Sequence, residues 1–169
     1  MDDQITAYLS LGSNLGDRKA YLNCALSGLS AKGAVAVCSA VWETLPWGYS
    51  DEKQYLNMVC AYRTSLDPFE LRLFLENLEI KCGRREKTAL HKGYAAREID
   101  IDIIFYGSEI INTPELTVPH PRMEMRNFVL RPLREIAPEF VHPLSGLTVE
   151  DLCKQSPDGD AGLKLYDGL

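Results

Sequence analysis

At 169 residues and 46% hydrophobic, the chain is long enough to bury the core of one domain and short for two, and no Pro/Gly/Ser-rich linker divides it. A net charge of −6 argues against a general nucleic-acid or anionic-membrane surface, and the longest nearly apolar run, 34–42, is far short of a membrane span. These features predict a single domain over residues 1–169, soluble, cytoplasmic and monomeric.

Ile5, Ala7, Leu9 and Leu11 alternate with polar neighbours and predict an opening strand, which Gly12-Ser13-Asn14-Leu15-Gly16 turns. Asp17 caps a helix whose Leu22, Ala25, Leu26 and Leu29 recur at helical spacing, fading at Lys32-Gly33. Residues 35–44 read as one strand and 55–63 as another, separated by a loop rich in Pro, Gly, Ser and Asp. Asp67-Pro68-Phe69-Glu70 is a helix start: a capping residue, proline at the first helical position and Glu at the third. Leu71, Phe74, Leu75, Leu78 and Cys82 form its buried stripe, and Gly83 ends it. A polar stretch, 84–96, leads into the strand Ile99-Asp100-Ile101-Asp102-Ile103, then a short strand at 109–111, a Pro-interrupted segment, a short helix over 128–137, and a polar, acidic, mobile tail over 156–169. The order β-α-β-β-α-β predicts an α+β fold: a ferredoxin-like split βαβ sandwich with a mainly antiparallel sheet, helices on one face, a core over about 5–143, and short added C-terminal elements. The five cysteines, odd in number and without a C-x-x-C pair, predict reduced thiols.

Chemistry concentrates around the Asp-bearing strand. Alternation puts Asp100 and Asp102 on one face, roughly 6.6 Å apart along the strand, where carboxylates repel unless a cation neutralises them. Two such acids alone more often sit on a solvated face. Here, however, Lys81, Arg84, Arg85, Lys87, Lys92 and Arg97 precede them against Glu86 alone, six bases less one acid giving +5, and Arg122, Arg126, Arg131 and Arg134 follow. Acids for Mg²⁺ and Arg or Lys for phosphate oxygens are what a metal-bound polyphosphate needs. The chain has no P-loop and no G-x-G-x-x-G, so metal and side chains must hold any nucleotide. His91, His120 and His142 lack metal-ligand spacing. Trp47, Tyr55, Asn57 and Phe128 are either core residues or the walls of a flat heterocycle's pocket.

The motif Arg97-x-x-Asp100-Ile101-Asp102-Ile103-Ile104, with Gly12-Ser13-Asn14-Leu15 before it and Val118-Pro119-His120 after it, resembles the 6-hydroxymethyl-7,8-dihydropterin pyrophosphokinases over most of the chain. The resemblance implies a folate-pathway enzyme that moves the terminal pyrophosphate of ATP to the pterin hydroxymethyl group and releases AMP. Asp100 and Asp102 would bind two Mg²⁺ ions, and Arg84 and Arg97 would contact phosphates as catalytic groups. Glu79, Tyr94, Ile103, Thr117, His120 and Arg126 would complete the ATP side. Thr44, Leu45, Trp47, Tyr55, Asn57 and Phe128 would hold the pterin, and residues 84–96 would form a lid. A two-metal nucleotide hydrolase and a non-catalytic nucleotide sensor remain as rivals.

Overall fold

A computed structural model describes residues 3–45, 53–85 and 96–168 of the chain. Strand β1 (Ile5–Ser13) leads into α1 (Arg18–Leu29), whose first turn is capped by the Asp17 carboxylate accepting from the Ala20 N–H. Strands β2 (Gly33–Cys38), β3 (Trp42–Thr44) and β4 (Tyr55–Thr64) follow, then α2 (Pro68–Lys81) with the reciprocal Asp67–Glu70 capping box its sequence predicts. After β5 (Asp100–Tyr106) come the short strands β6 (Ile111–Asn112) and β7 (Thr117–Val118), a 3₁₀ turn at Met123–Met125, α3 (Asn127–Ile136), α4 (Val149–Gln155) and β8 (Leu163–Leu165).

The main sheet runs β5-β1-β4-β3-β8, with β2 also paired to β4, and every pairing in it is antiparallel. Taking β2 and β3 together as one broken strand, the order is that of the split βαβ sheet. The predicted single strand over 35–44 is broken because Ser39 turns inward and bonds Val59 through both its backbone N–H and its Oγ. The predicted strand at 109–111 lies instead at Ile111–Asn112, paired with β7.

Both faces of the sheet are covered, unlike the one-sided arrangement expected from sequence. Leu9 and Leu11 pack with Leu22, Leu29, Leu71 and Leu75 beneath α1 and α2. On the opposite face Val59, Ile104 and Phe105 pack against Val129, Leu130 and Leu133 of α3 and Leu152 of α4. That second face is apolar, and leaving it in water would forfeit roughly 25 cal/mol per Å².

Two further expectations are corrected. Cys24 and Cys82 form a disulfide, Cα–Cα 5.8 Å, joining α1 to the end of α2, so these two cysteines are not reduced thiols. Sequence spacing hid the pair because 58 residues separate them and only folding brings the helices together. The tail predicted to be mobile is partly ordered: Leu163–Leu165 pairs with β3, and the Tyr166 N–H donates to the Val41 carbonyl at 2.9 Å. An edge strand with unpaired backbone groups gains by such cover, and Tyr166 packs against the main core.

Candidate active site

The motif strand behaves as its alternation requires. Ile99, Ile101 and Ile103 are buried in the core, while Asp100 and Asp102 face the opposite side of the sheet. Ion pairs converge there: Arg97 Nη1 lies 3.1 Å from Asp100 Oδ1, and Arg84 Nη1 lies 3.3 Å from the same oxygen. Arg84 is itself held by Glu79, which is only 4% exposed and also accepts the Ile101 backbone N–H at 2.7 Å. Glu79 therefore fixes Arg84 and the start of β5 at once. Burial, then the Asp100 charge, raise the Glu79 pKa, and the bonds from Ile101 and Arg84 counter them.

Asp102 is pushed up to about 8, first by burial and then by the neighbouring Asp100 charge, with Arg126 and Arg97 opposing. Its side chain keeps 38% of its surface open to the cleft, so water reaches it. His120 Nε2 stands 4.0 Å from Asp102 Oδ2. Burial and then the Arg126 charge lower the His120 pKa to about 4, so the imidazole is neutral at physiological pH. Its Nδ1 accepts the Arg122 N–H, which assigns the remaining proton to Nε2, facing Asp102.

Glu79, Arg84, Asp100, Asp102, Ile103, Thr117 and His120 line one cleft of about 240 Å³ along the outer edge of β5. Seven of the residues expected around ATP are thus brought together. Arg97 joins them through Asp100, and Arg126 through its electrostatic effect on Asp102 and His120. Tyr94 and most of the expected lid lie outside the described residues.

Sheet register supplies what the motifs alone did not show. Gly12 pairs with Asn57 on one side and Asp100 on the other, so Asn57, Gly12 and Asp100 form one row across β4, β1 and β5. Strand spacing puts the two side-chain-bearing residues roughly 10 Å apart, with a glycine between them. Gly12 looks like a turn residue in the sequence but lies inside β1, and a Cβ there would stand 2.8 Å from Asn57 Oδ1. The row therefore has a bare floor between an amide and a carboxylate. Asn57, 4% exposed, donates from Nδ2 to Thr44 Oγ1 at 2.6 Å, leaving Oδ1 as an acceptor above that floor. Tyr55, two residues before Asn57 on β4 and so on the same face, pairs with Thr44.

Phe128 sits at the start of α3, with the Arg126 guanidinium 5.6 Å over its ring. Leu45 is 58% exposed. Trp47 lies outside the described residues. Asn14 was also missed as a functional residue: its Oδ1 accepts the Arg97 N–H at 2.7 Å and its own N–H donates to the Arg97 carbonyl at 3.1 Å. This two-bond clamp fixes the backbone from which Arg97 reaches Asp100. The signal was the Gly-Ser-Asn run itself, which looks like an ordinary turn until register places it beside Arg97.

Among the described residues no cluster of three His, Cys, Asp or Glu side chains converges as a metal cage. Two carboxylates are nevertheless a fitting donor set for Mg²⁺, which takes one or two protein oxygens and completes its shell with water and phosphate. The resistance of Asp102 to ionising beside Asp100 is what a bound cation would relieve. Paired acids on the floor of a cleft, under guanidinium groups and a neutral histidine, suit the class of nucleotide-dependent phosphoryl-group transferases.

Comparison with known proteins narrows the class. Residues 8–138 match the model of the 7,8-dihydro-6-hydroxymethylpterin-pyrophosphokinase (HPPK) family, and the chain belongs to that family. It is 42% identical over 139 residues to the Aquifex aeolicus 2-amino-4-hydroxy-6-hydroxymethyldihydropteridine pyrophosphokinase, covering 82% of this chain and 84% of that protein. The Bacillus subtilis protein of the same name is 45% identical over 132 residues, covering 77% of each. The Pneumocystis carinii folic acid synthesis protein fol1 is 40% identical over 159 residues, of which this chain spans only 21% of the length. A Plasmodium falciparum HPPK-DHPS crystal structure shares the fold at TM-score 0.71 and 15% identity, over 96% of this chain and 46% of that one.

Proposed function

We propose that the chain transfers the terminal pyrophosphate of ATP to the hydroxymethyl group of 6-hydroxymethyl-7,8-dihydropterin, giving AMP and the pterin diphosphate for folate synthesis. Family membership supports the reaction class. The observation that carries the site assignment is the Asn57–Gly12–Asp100 row, which offers a heterocycle-reading amide and a metal-binding carboxylate on either side of a bare floor.

On this reading Asp100 and Asp102 hold two Mg²⁺ ions. Bound there, they would supply positive charge against the charge developing on the phosphate oxygens. Arg84 and Arg97, paired with Asp100 in the free protein, would contact phosphate oxygens in the complex. Neutral His120 donates from Nε2 without adding a charge, and Arg126 balances the phosphates from the α3 side. Ile103 and Thr117 line the nucleotide's path along the cleft. Tyr55 and Phe128 wall the pterin, Asn57 Oδ1 accepts from its polar edge, and Thr44 fixes that amide. Leu45 borders the same pocket, and the roles the resemblance gives to Trp47 and Tyr94 fall outside the described residues.

The partners on this reading are two small molecules, in keeping with the net charge of −6, and the enzyme acts as a cytoplasmic monomer. No helix among the described residues is long and apolar enough to cross a membrane.

Titration of 6-hydroxymethylpterin by calorimetry, with and without Mg²⁺ and a non-hydrolysable ATP analogue, tests the reading. It expects binding that tightens when the nucleotide and metal are present. A protein that binds the analogue but no pterin is a nucleotide hydrolase or sensor instead.

A further inference from the structure

We propose that residues 156–168, tied by Asn127, form a strap that sets the spacing between the two walls of the pterin pocket. Asn127 is on this account a positioning residue for the pterin; the inference rests on the pocket assigned under Proposed function and extends it to a segment outside the family match, which ends at 138.

The two walls belong to separate parts of the fold. One is Tyr55 on β4, paired with Thr44 at the end of β3 with Leu45 just beyond; the other is Phe128 at the start of α3. The strap engages the residue beside each wall: Asn127, next to Phe128, and Thr44, paired with Tyr55. Leaving α4, it crosses the α3 N-terminus, where the Asn127 side chain donates from Nδ2 to the Gly159 carbonyl at 3.1 Å and to the Ala161 carbonyl at 3.0 Å. Asn127 is 8% exposed and adjoins Phe128 in the chain. Arg131, one turn further along α3, adds an ion pair to Asp160 at 3.5 Å.

The strap then turns at Gly162, whose φ of +72° suits glycine, and its backbone passes beneath Leu45: a Cβ there would lie 3.4 Å from Leu45 Cδ1. Directly afterwards it becomes β8, pairing Leu163 with Thr44, Glu43 with Lys164 and Trp42 with Leu165. Thr44, 3% exposed, is the residue that fixes the Asn57 amide. Its far end is pinned as well, because the Lys19 ammonium donates to the Gly168 carbonyl at 2.8 Å and Arg18 stands 5.9 Å over the Tyr166 ring. One segment therefore fixes Phe128 relative to Thr44, Leu45 and Asn57. No residue of 156–168 is among those lining the ATP cleft, which lies on β5 at the other edge of the sheet.

Asn127→Asp tests this with almost no change of shape: it replaces both donors with a carboxylate facing two carbonyls. The expected result is a KM for the pterin about tenfold or more above wild type, each tenfold being about 1.4 kcal/mol, with the KM for ATP within about twofold and the same cooperative melt. Asn127→Ala should reproduce the split. Hydrogen exchange provides a readout that needs no substrate: in Asn127→Asp, amides at 42–45 and 163–166 should exchange faster, while those of β1 and β5 hold their protection. Unchanged exchange there, or KM values for pterin and ATP that rise together, overturns the strap. Wild-type protein that forms no AMP from ATP and pterin overturns the function itself, and that failure is visible before any variant is compared.

Discussion

Gly12→Ala should damage pterin binding out of proportion to its size. The added methyl would lie 2.8 Å from Asn57 Oδ1 and 3.7 Å from Tyr55 Cδ1. The first contact is shorter than Cβ atoms tolerate, so the Asn57 amide must move by roughly half an ångström against packing that yields little. That motion strains the 2.6 Å bond from Asn57 to Thr44. Overpacking of this kind costs ~1–3 kcal/mol. Gly12 does not have positive φ, so Ala suits the backbone there, and its lower unfolded-state entropy returns ~0.4–1 kcal/mol. The net destabilisation is about 1–2 kcal/mol, a melting shift of roughly 2–8 °C for a domain of this size. Function should suffer more, because the displaced amide is the group that reads the pterin and the methyl occupies the floor it lies on. Steady-state kinetics with each substrate varied in turn should show a pterin KM at least ~10-fold higher, equivalent to the loss of about 1.4 kcal/mol, and an ATP KM changed much less. A Gly12→Ala enzyme with wild-type pterin KM would refute the role given to the bare floor.

Asp102→Asn should lower turnover by about 10³-fold or more through loss of a metal ligand and its charge, yet stabilise the metal-free protein at pH 8. The folded pKa of Asp102 is raised to about 8, above the unfolded value of ~3.9, so its contribution to stability is present at low pH and lost as pH rises from ~4 to ~8. Melting curves of the metal-free wild type and variant should diverge over that window, and curves that stay parallel contradict the shift. Glu79→Gln keeps an acceptor for the Ile101 N–H but gives up the charge that holds Arg84; turnover should fall about tenfold for a loss near 1.4 kcal/mol, with the melting point lowered by only a few degrees. Reducing the Cys24–Cys82 bond should cost ~2–4 kcal/mol, the usual effect of opening a long cross-linked loop, and peptide mapping without reductant should recover these two cysteines linked; two free thiols would contradict the pairing.

What the sequence revealed depended on the range of the interaction concerned. Alternation in 99–103 displayed the two acids, and Asp67-Pro68-Phe69-Glu70 wrote out a capping box that forms as spelled, because both patterns are decided within a few residues. Gly12 and Asn14 looked like turn residues because their partners, Asn57, Asp100 and Arg97, are 45 to 88 residues away and meet them only through register. Cys24 and Cys82 were unreadable for the same reason. The tail gave a false signal: its polar, acidic composition suggested mobility, but Leu163, Leu165 and Tyr166 are enough to seat it on the open edge of β3. Residues 35–44 look like one continuous strand because composition does not reveal that Ser39 bonds inward to Val59. Tyr55, Asn57 and Phe128 were visible as candidates, but pattern alone could not separate pocket walls from core.

The most direct measurement follows all phosphorus-containing products together. Wild-type protein is incubated with Mg²⁺, ATP and 6-hydroxymethyl-7,8-dihydropterin, and phosphorus NMR is paired with mass spectrometry of the pterin. The account predicts AMP and pterin diphosphate in equal amounts, neither forming when pterin or Mg²⁺ is omitted. Release of ADP, or of AMP and free pyrophosphate without pterin, would contradict it.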